Sequence, residues 1–218
     1  MKNISLSRRF LSGRLWANSA LGTSIALLLA APAIAHHPFG GEAPSTFVQG
    51  FLSGIGHPVI GLDHLAFVIA AGLLAAVVTR GVWVPVAFVV ATLLGTGIHL
   101  AELDLPMTEL VIATSVLLFG GLAVMRDRLN PIFVIMLAAL AGVFHGYAYG
   151  EAVVGAEPTP LLAYLLGFAG VQGAIAYTTY LLSKRAVVKD QDAGLISVRH
   201  AGFTVLGVGA AFLGGLVA

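Results

Sequence analysis

The chain contains no cysteine. That absence excludes disulfides, thiolate metal sites and cysteine nucleophiles. Charge is scarce too. Only 10% of the 218 residues are Asp, Glu, Lys or Arg, against 58% hydrophobic, and the mean hydropathy is +0.97. Such a composition belongs to a polytopic membrane protein and leaves no room for a separate soluble domain. No G-x-S-x-G motif is present, so a serine hydrolase has no support. No nucleotide-binding loop is present either, so any energy source is a gradient or a partner. Beyond the N-terminal leader the methionines are Met107, Met125 and Met136, too scattered to form a soft-ligand site for Cu(I). Nothing points to nucleic acid or to a prosthetic group. The 27 glycines suit membrane helices that pack closely.

The expected architecture is all-α, with six transmembrane helices after a cleavable signal peptide. Residues 1–35 carry a basic start (Lys2, Arg8, Arg9, Arg14), an apolar run from Ala20 to Ala30, and Ala33-Ile34-Ala35 as a small-x-small cleavage pattern. Residues 36–218 then form one membrane domain. Its apolar segments fall at about 47/58–78, 82–100, 107–125, 131–149, 160–182 and 201–217, each near the ~20 residues that cross a bilayer core. The start of the first is ambiguous, because glycines weaken it and Pro58 kinks or starts it. The stretch 184–200 reads as a polar, flexible loop.

The basic residues set an orientation. With the mature N-terminus outside, the inner loops hold Arg80, Arg126, Arg128, Lys184, Arg185, Lys189 and Arg199, and the outer loops hold no Lys or Arg. With the four in the leader, all eleven basic residues face one side, a complete positive-inside pattern. It places the protein in a bacterial-type inner membrane with both mature termini outside, and with the lipid bilayer as its first partner. Acidic residues Glu42, Glu102, Asp104, Glu109, Glu151 and Glu157 then gather outside, forming a mouth that attracts cations.

Within this frame the run from His57 to His64 stands out, because ionisable groups at membrane depth are costly and mark a pathway or a site. His57 and His64 are about two helical turns apart and can share a face. Asp63 points roughly 100° away. Neutral imidazole and carboxylate are standard ligands for divalent nickel, cobalt and zinc. His145 lies in the last outer turns of the fourth segment, and His99 at the outer end of the second. Cleavage after Ala35 makes His36 the N-terminus, beside His37, and pairs a free amine with an imidazole. The candidate metal ligands are therefore His57, Asp63, His64, His145, His36, His37, His99 and Glu151. Each has a plainer reading: an Asp63–His64 hydrogen bond pinning two helices, His57 as an interfacial cap, His145 bonded across helices, His99 at headgroup level, and Glu151 as a solvated loop charge. Gln172 is interhelical glue or a pathway group, and the tyrosines, Tyr149 and Tyr164 among them, include ordinary interface-belt residues.

The spacing of His57, five residues, then Asp63-His64 resembles the first signature of the HupE/UreJ family of nickel/cobalt permeases. Phe144-His145-Gly146-Tyr147-Ala148-Tyr149-Gly150 is similar to the family's second signature. The leader, the His36-His37-Pro38-Phe39-Gly40 start and the six segments fit as well. The chain departs from the pattern in having Tyr149 where members typically have a second histidine. The glutamate is also out of register, since Glu151 comes one residue early. Either Glu151 substitutes from a shifted position or the site has one ligand fewer. The resemblance implies a permease, not an enzyme, that takes up Ni²⁺ or Co²⁺ as substrate through an intramembrane His/Asp site. Imidazole binds metal only when neutral, so uptake should fall as pH drops below about 6.5. The alternatives are a membrane-embedded zinc-dependent hydrolase, which needs three ligands and an activated water, and a metal sensor or assembly factor that does not transport.

Overall fold

The computed structural model describes residues 43–125 and 129–217. The leader, His36, His37, Glu42, Arg126 and Arg128 lie outside the described residues. Among the described residues seven α-helices and one 3₁₀ turn follow one another: α1 Phe47–Ile60, α2 Leu62–Val77, α3 Trp83–Leu100, α4 Thr108–Met125, α5 Pro131–Gly150, the 3₁₀ turn Glu151–Val153, α6 Pro158–Lys189 and α7 Gln191–Val217. No strand occurs among the described residues. Five helices are long and apolar enough to cross a membrane, and the bent pair α1–α2 makes a sixth if it is one span. The chain is an all-helical, multi-pass membrane protein.

The helix starts follow from local chemistry. Thr46 caps α1 by accepting from the Gln49 N–H at 3.2 Å, and Gln49 reaches back to the Ser45 N–H at 3.0 Å, a reciprocal arrangement of capping type. Asn130 caps α5, with its side chain 2.9 Å from the Ile132 N–H and Pro131 at the first position, where a missing N–H costs nothing.

The first segment is kinked, as Pro58 leads one to expect, and the break itself falls at Gly61, where α1 and α2 meet with a 78° bend. Pro58 sits inside α1 and cannot donate to the preceding turn, so the helix ends two residues later. The stretch 184–200 is not a flexible loop. α6 continues to Lys189 and α7 begins at Gln191, leaving only Asp190 extended between them. At 32 residues, α6 is about 48 Å long and outruns a hydrocarbon core of about 30 Å. Hydropathy marks where the apolar stretch ends, not where the helix ends. Asp190 starts α7 by accepting from the Ala193 N–H at 3.0 Å, and Gly194 lets the turn close against Val187.

Helix directions are fixed by close contacts. Gly50 abuts Pro160, Gly54 abuts Tyr164, and Gly72 abuts Ala176 and Thr179, so α1 and α2 both follow α6 in its own direction. Phe88 meets Gly142, Thr92 meets Gly146 and His99 meets Gly150, so α3 and α5 are parallel. Ala123 meets Gly202 and Leu117 meets Gly209, so α4 and α7 are antiparallel. The core between them contains Phe67, Leu74, Phe88, Val116, Phe119, Val134 and Ala138.

Candidate metal pathway site

The break at Gly61 is what assembles the site. A helix break inside a membrane protein must satisfy its own backbone groups. Here the Gly61 N–H donates to the His57 carbonyl at 3.1 Å, and the Leu65 N–H to the Gly61 carbonyl at 2.8 Å. Asp63 Oδ1 accepts from the His64 N–H at 2.8 Å, satisfying one of the donors that a helix start leaves open. The bend carries His57, near the end of α1, and His64, in the first turn of α2, into one space, with ring centroids 5.8 Å apart. Gly61 has to lack a side chain here, because a Cβ would lie 2.7 Å from Cδ2 of His64.

His145 arrives from α5. Gly146 lets α5 lie directly on the Thr92 backbone of α3, and Thr96 Oγ1 donates to the Gly146 carbonyl at 2.8 Å. His145 Nδ1 lies 2.8 Å from His64 Nδ1, and its Nε2 lies 3.0 Å from Ser115 Oγ on α4. Ser115 Oγ also donates to the Ile112 carbonyl at 2.7 Å. From α6, Tyr164 Oη lies 2.9 Å from His57 Nδ1 and donates to the Tyr149 carbonyl at 2.9 Å. The Tyr149 ring packs beside both imidazoles, 4.9 Å from His57 and 4.6 Å from His64. Its hydroxyl donates to Gln172 Oε1 at 3.3 Å. Gln172 in turn donates to the Phe168 carbonyl at 3.2 Å and lies 3.5 Å from Thr92 Oγ1, so it ties helices together.

All of these groups are out of solvent: His57 is 5% exposed, Asp63 4%, His64 3% and His145 0%. His145, Tyr164 and Ser115 lie five to seven residues from the neighbouring helix ends, within about two turns. On the other side of His145, Phe67 packs at 4.7 Å and Phe88 at 5.5 Å, centroid to centroid. Phe67 also contacts Phe88 at 4.6 Å and Phe119 at 4.4 Å, so three buried rings cluster next to His145.

Of the residues expected from sequence, His57, Asp63, His64 and His145 converge. His99 does not join them; its ring packs on Tyr147 at 4.5 Å and its Nδ1 is buried without a hydrogen bond. Glu151 is exposed at the end of α5. Among the described residues no three His, Asp or Glu side chains form a preformed metal cage. Ser115, Tyr164 and Tyr149 were not singled out as site residues by sequence. Tyr164 is no interface-belt residue but fully buried. The one available signal was a lone serine mid-way along an apolar helix.

The model described as "HupE / UreJ protein" matches residues 24–212. This chain belongs to the HupE/UreJ family. Protein HupE of Rhizobium leguminosarum bv. viciae is 31% identical over 200 residues, covering 90% of this chain and 98% of that protein. No solved structure matches. In this HupE/UreJ protein the ring of Tyr149 lies against both His57 and His64.

Proposed function

We propose that this HupE/UreJ protein is a permease that takes up Ni²⁺ or Co²⁺ through the buried His57–His64–His145 group. The family is a transporter-type family related to nickel and cobalt, and no feature of the fold favours the zinc hydrolase. The observation that carries the reading is the contact between two imidazoles, 2.8 Å from Nδ1 to Nδ1, inside an otherwise apolar bundle. Two nitrogens bound to one ion at about 2.1 Å lie about 3.0 Å apart at a right angle and about 3.4 Å apart at the tetrahedral angle. The observed pair has to open by about 0.2 Å for square-planar or octahedral binding, but by about 0.6 Å for tetrahedral binding. Either opening is a small displacement, so the imidazole pair can admit a divalent ion without rebuilding the bundle.

In this reading the chain crosses the membrane six times, with α1–α2 as one broken span. The parallel course of α1–α2 with α6 and of α3 with α5, and the antiparallel pair α4–α7, all agree with alternate crossings. The leader is removed after Ala35, both mature termini lie outside, and Lys184, Arg185 and Lys189 on the extension of α6 lie in the cytoplasm. His36, His37, His99, Glu102 and Glu151 form the outer face that gathers the ion. The ion replaces the proton between the two Nδ1 atoms, His64 carries that proton on Nε2 instead, and His57 and Asp63 complete the site. Ligands are few, as a site that must release its ion requires.

The test is uptake of ⁶³Ni and ⁵⁷Co by metal-starved cells expressing the chain, beside His64→Ala, His145→Ala and Asp63→Asn at matched membrane levels. Loss of uptake in the two histidine variants supports the pathway, and the isotope preferred by the wild type identifies the substrate. No uptake of either ion by a correctly inserted wild type overturns the reading.

A further inference from the structure

We propose that Ser115 and Tyr164 are positioning residues that fix which ring nitrogen of His145 and of His57 faces the ion. The argument is a count of hydrogens. A serine or tyrosine hydroxyl has one hydrogen, a carbonyl can only accept, and a neutral imidazole has one N–H and one lone pair. Ser115 Oγ donates to the Ile112 carbonyl at 2.7 Å and lies 3.0 Å from His145 Nε2. Both contacts are satisfied together only when His145 Nε2 carries the ring hydrogen and donates it to Ser115. The lone pair of His145 is then on Nδ1, the atom 2.8 Å from His64. Tyr164 repeats the device from another helix. Its hydroxyl donates to the Tyr149 carbonyl at 2.9 Å and accepts from His57 Nδ1 at 2.9 Å, so the lone pair of His57 is on Nε2.

The anchor in each case is a backbone carbonyl of a helix, which cannot turn. The chain of bonds runs from the Ile112 carbonyl through Ser115 to His145, and from the Tyr149 carbonyl through Tyr164 to His57. Each histidine is oriented and held in one tautomer before an ion arrives, the role that hydrogen-bond partners behind metal ligands play in protein metal sites. His64 differs from the other two. Its Nδ1 hydrogen points at the His145 lone pair, so His64 is the ring whose hydrogen relocates when an ion enters. The site therefore has two fixed imidazoles, binding through Nδ1 of His145 and Nε2 of His57, and one that switches.

This inference deepens the permease reading, and its first test is independent of transport. The full-length protein, labelled with ¹⁵N-histidine and reconstituted in lipid without metal, gives separate signals for protonated and unprotonated ring nitrogens. The expected spectrum has His145 protonated at Nε2 and His57 at Nδ1, assigned by the loss of each signal in His145→Gln and His57→Gln. Ser115→Ala should mix the His145 tautomers and Ser115→Thr should restore one. Tyr164→Phe should mix those of His57 only. In uptake, Ser115→Ala and Tyr164→Phe should raise the KM for Ni²⁺ about ten- to hundredfold, with surface expression unchanged. A wild-type spectrum with His145 protonated at Nδ1, or one unaltered by Ser115→Ala, overturns the proposal. The expected spectra without Ni²⁺ or Co²⁺ uptake by the wild type uphold the positioning role and overturn the permease reading instead.

Discussion

A single methyl group added at Gly61 tests whether the bend between α1 and α2 aims the imidazoles. At φ −69° and ψ 102°, Gly61 adopts a conformation open to alanine, so the effect of Gly61→Ala is steric. The new Cβ would lie 2.7 Å from His64 Cδ2, and 3.3 Å from both Asp63 Oδ1 and the His57 carbonyl. Ordinary contact begins near 3.4 Å, so the His64 ring has to retreat by about 0.7 Å, the distance by which the methyl overlaps it. A retreat of that size stretches the 2.8 Å Nδ1···Nδ1 contact to about 3.5 Å, where a hydrogen bond ends. Losing that bond costs about 1 kcal/mol and overpacking about 1–3 kcal/mol, while alanine's smaller unfolded-state entropy returns about 0.4–1 kcal/mol. The net expectation is a loss of about 1–3 kcal/mol in stability and at least a tenfold rise in KM for Ni²⁺, a factor equivalent to about 1.4 kcal/mol. The assays are thermal unfolding of the purified protein in detergent and ⁶³Ni uptake. Gly97→Ala is the control, since a Cβ there meets nothing within 4 Å. Wild-type unfolding and wild-type KM in Gly61→Ala would refute the account of the bend.

Phe67→Ala removes the central ring of the cluster next to His145. It should cost about 3–5 kcal/mol and leave a space that admits water, so proteoliposomes carrying it should pass ions with weakened discrimination; a tight, fully selective variant would show that the cluster is no barrier. Tyr149→His places a further imidazole beside His57 and His64, and should lower the apparent Kd for Ni²⁺ measured by calorimetry; unchanged or weaker binding would mean that this position cannot supply a ligand. Protonation removes the lone pair that binds the ion, so uptake should be full at neutral pH and fall on acidification. A profile that stays flat throughout the acid range in which the protein remains folded would show that the imidazoles do not limit transport.

Much of this was legible in the sequence because a membrane imposes strict rules. Apolar runs of the right length located the long helices, and alternate crossings agree with the parallel and antiparallel contacts between them. His57, Asp63, His64 and His145 were visible as polar groups where polarity is costly. What stayed hidden depends on contacts far apart in the chain. Ser115 meets His145 across 30 residues and Tyr164 meets His57 across 107, and neither pairing leaves a local pattern. The end of α6 was misread for a different reason. Lys184, Arg185 and Lys189 signal the membrane edge, yet they are also good helix formers, so the helix leaves the apolar layer without stopping. Tyr164 went unassigned because an aromatic with a hydroxyl suits an interface as well as a buried hydrogen bond.

The distribution of the site over five helices has a consequence for how the protein is made. His57 and His64 emerge early in synthesis, on a bent pair interrupted by Pro58 and Gly61. His145 follows His64 by 81 residues and Tyr164 follows His57 by 107. At about 5–20 residues per second, several seconds pass between the first imidazole and its last neighbour. During that interval α1 and α2 hold polar side chains without the helices that will enclose them, and they lack the long partner α6 along which both lie. Folding of this site is a late event, completed by the docking of α6. Chains truncated before Pro158 should therefore insert with α1–α2 unsettled and be early substrates for membrane quality control.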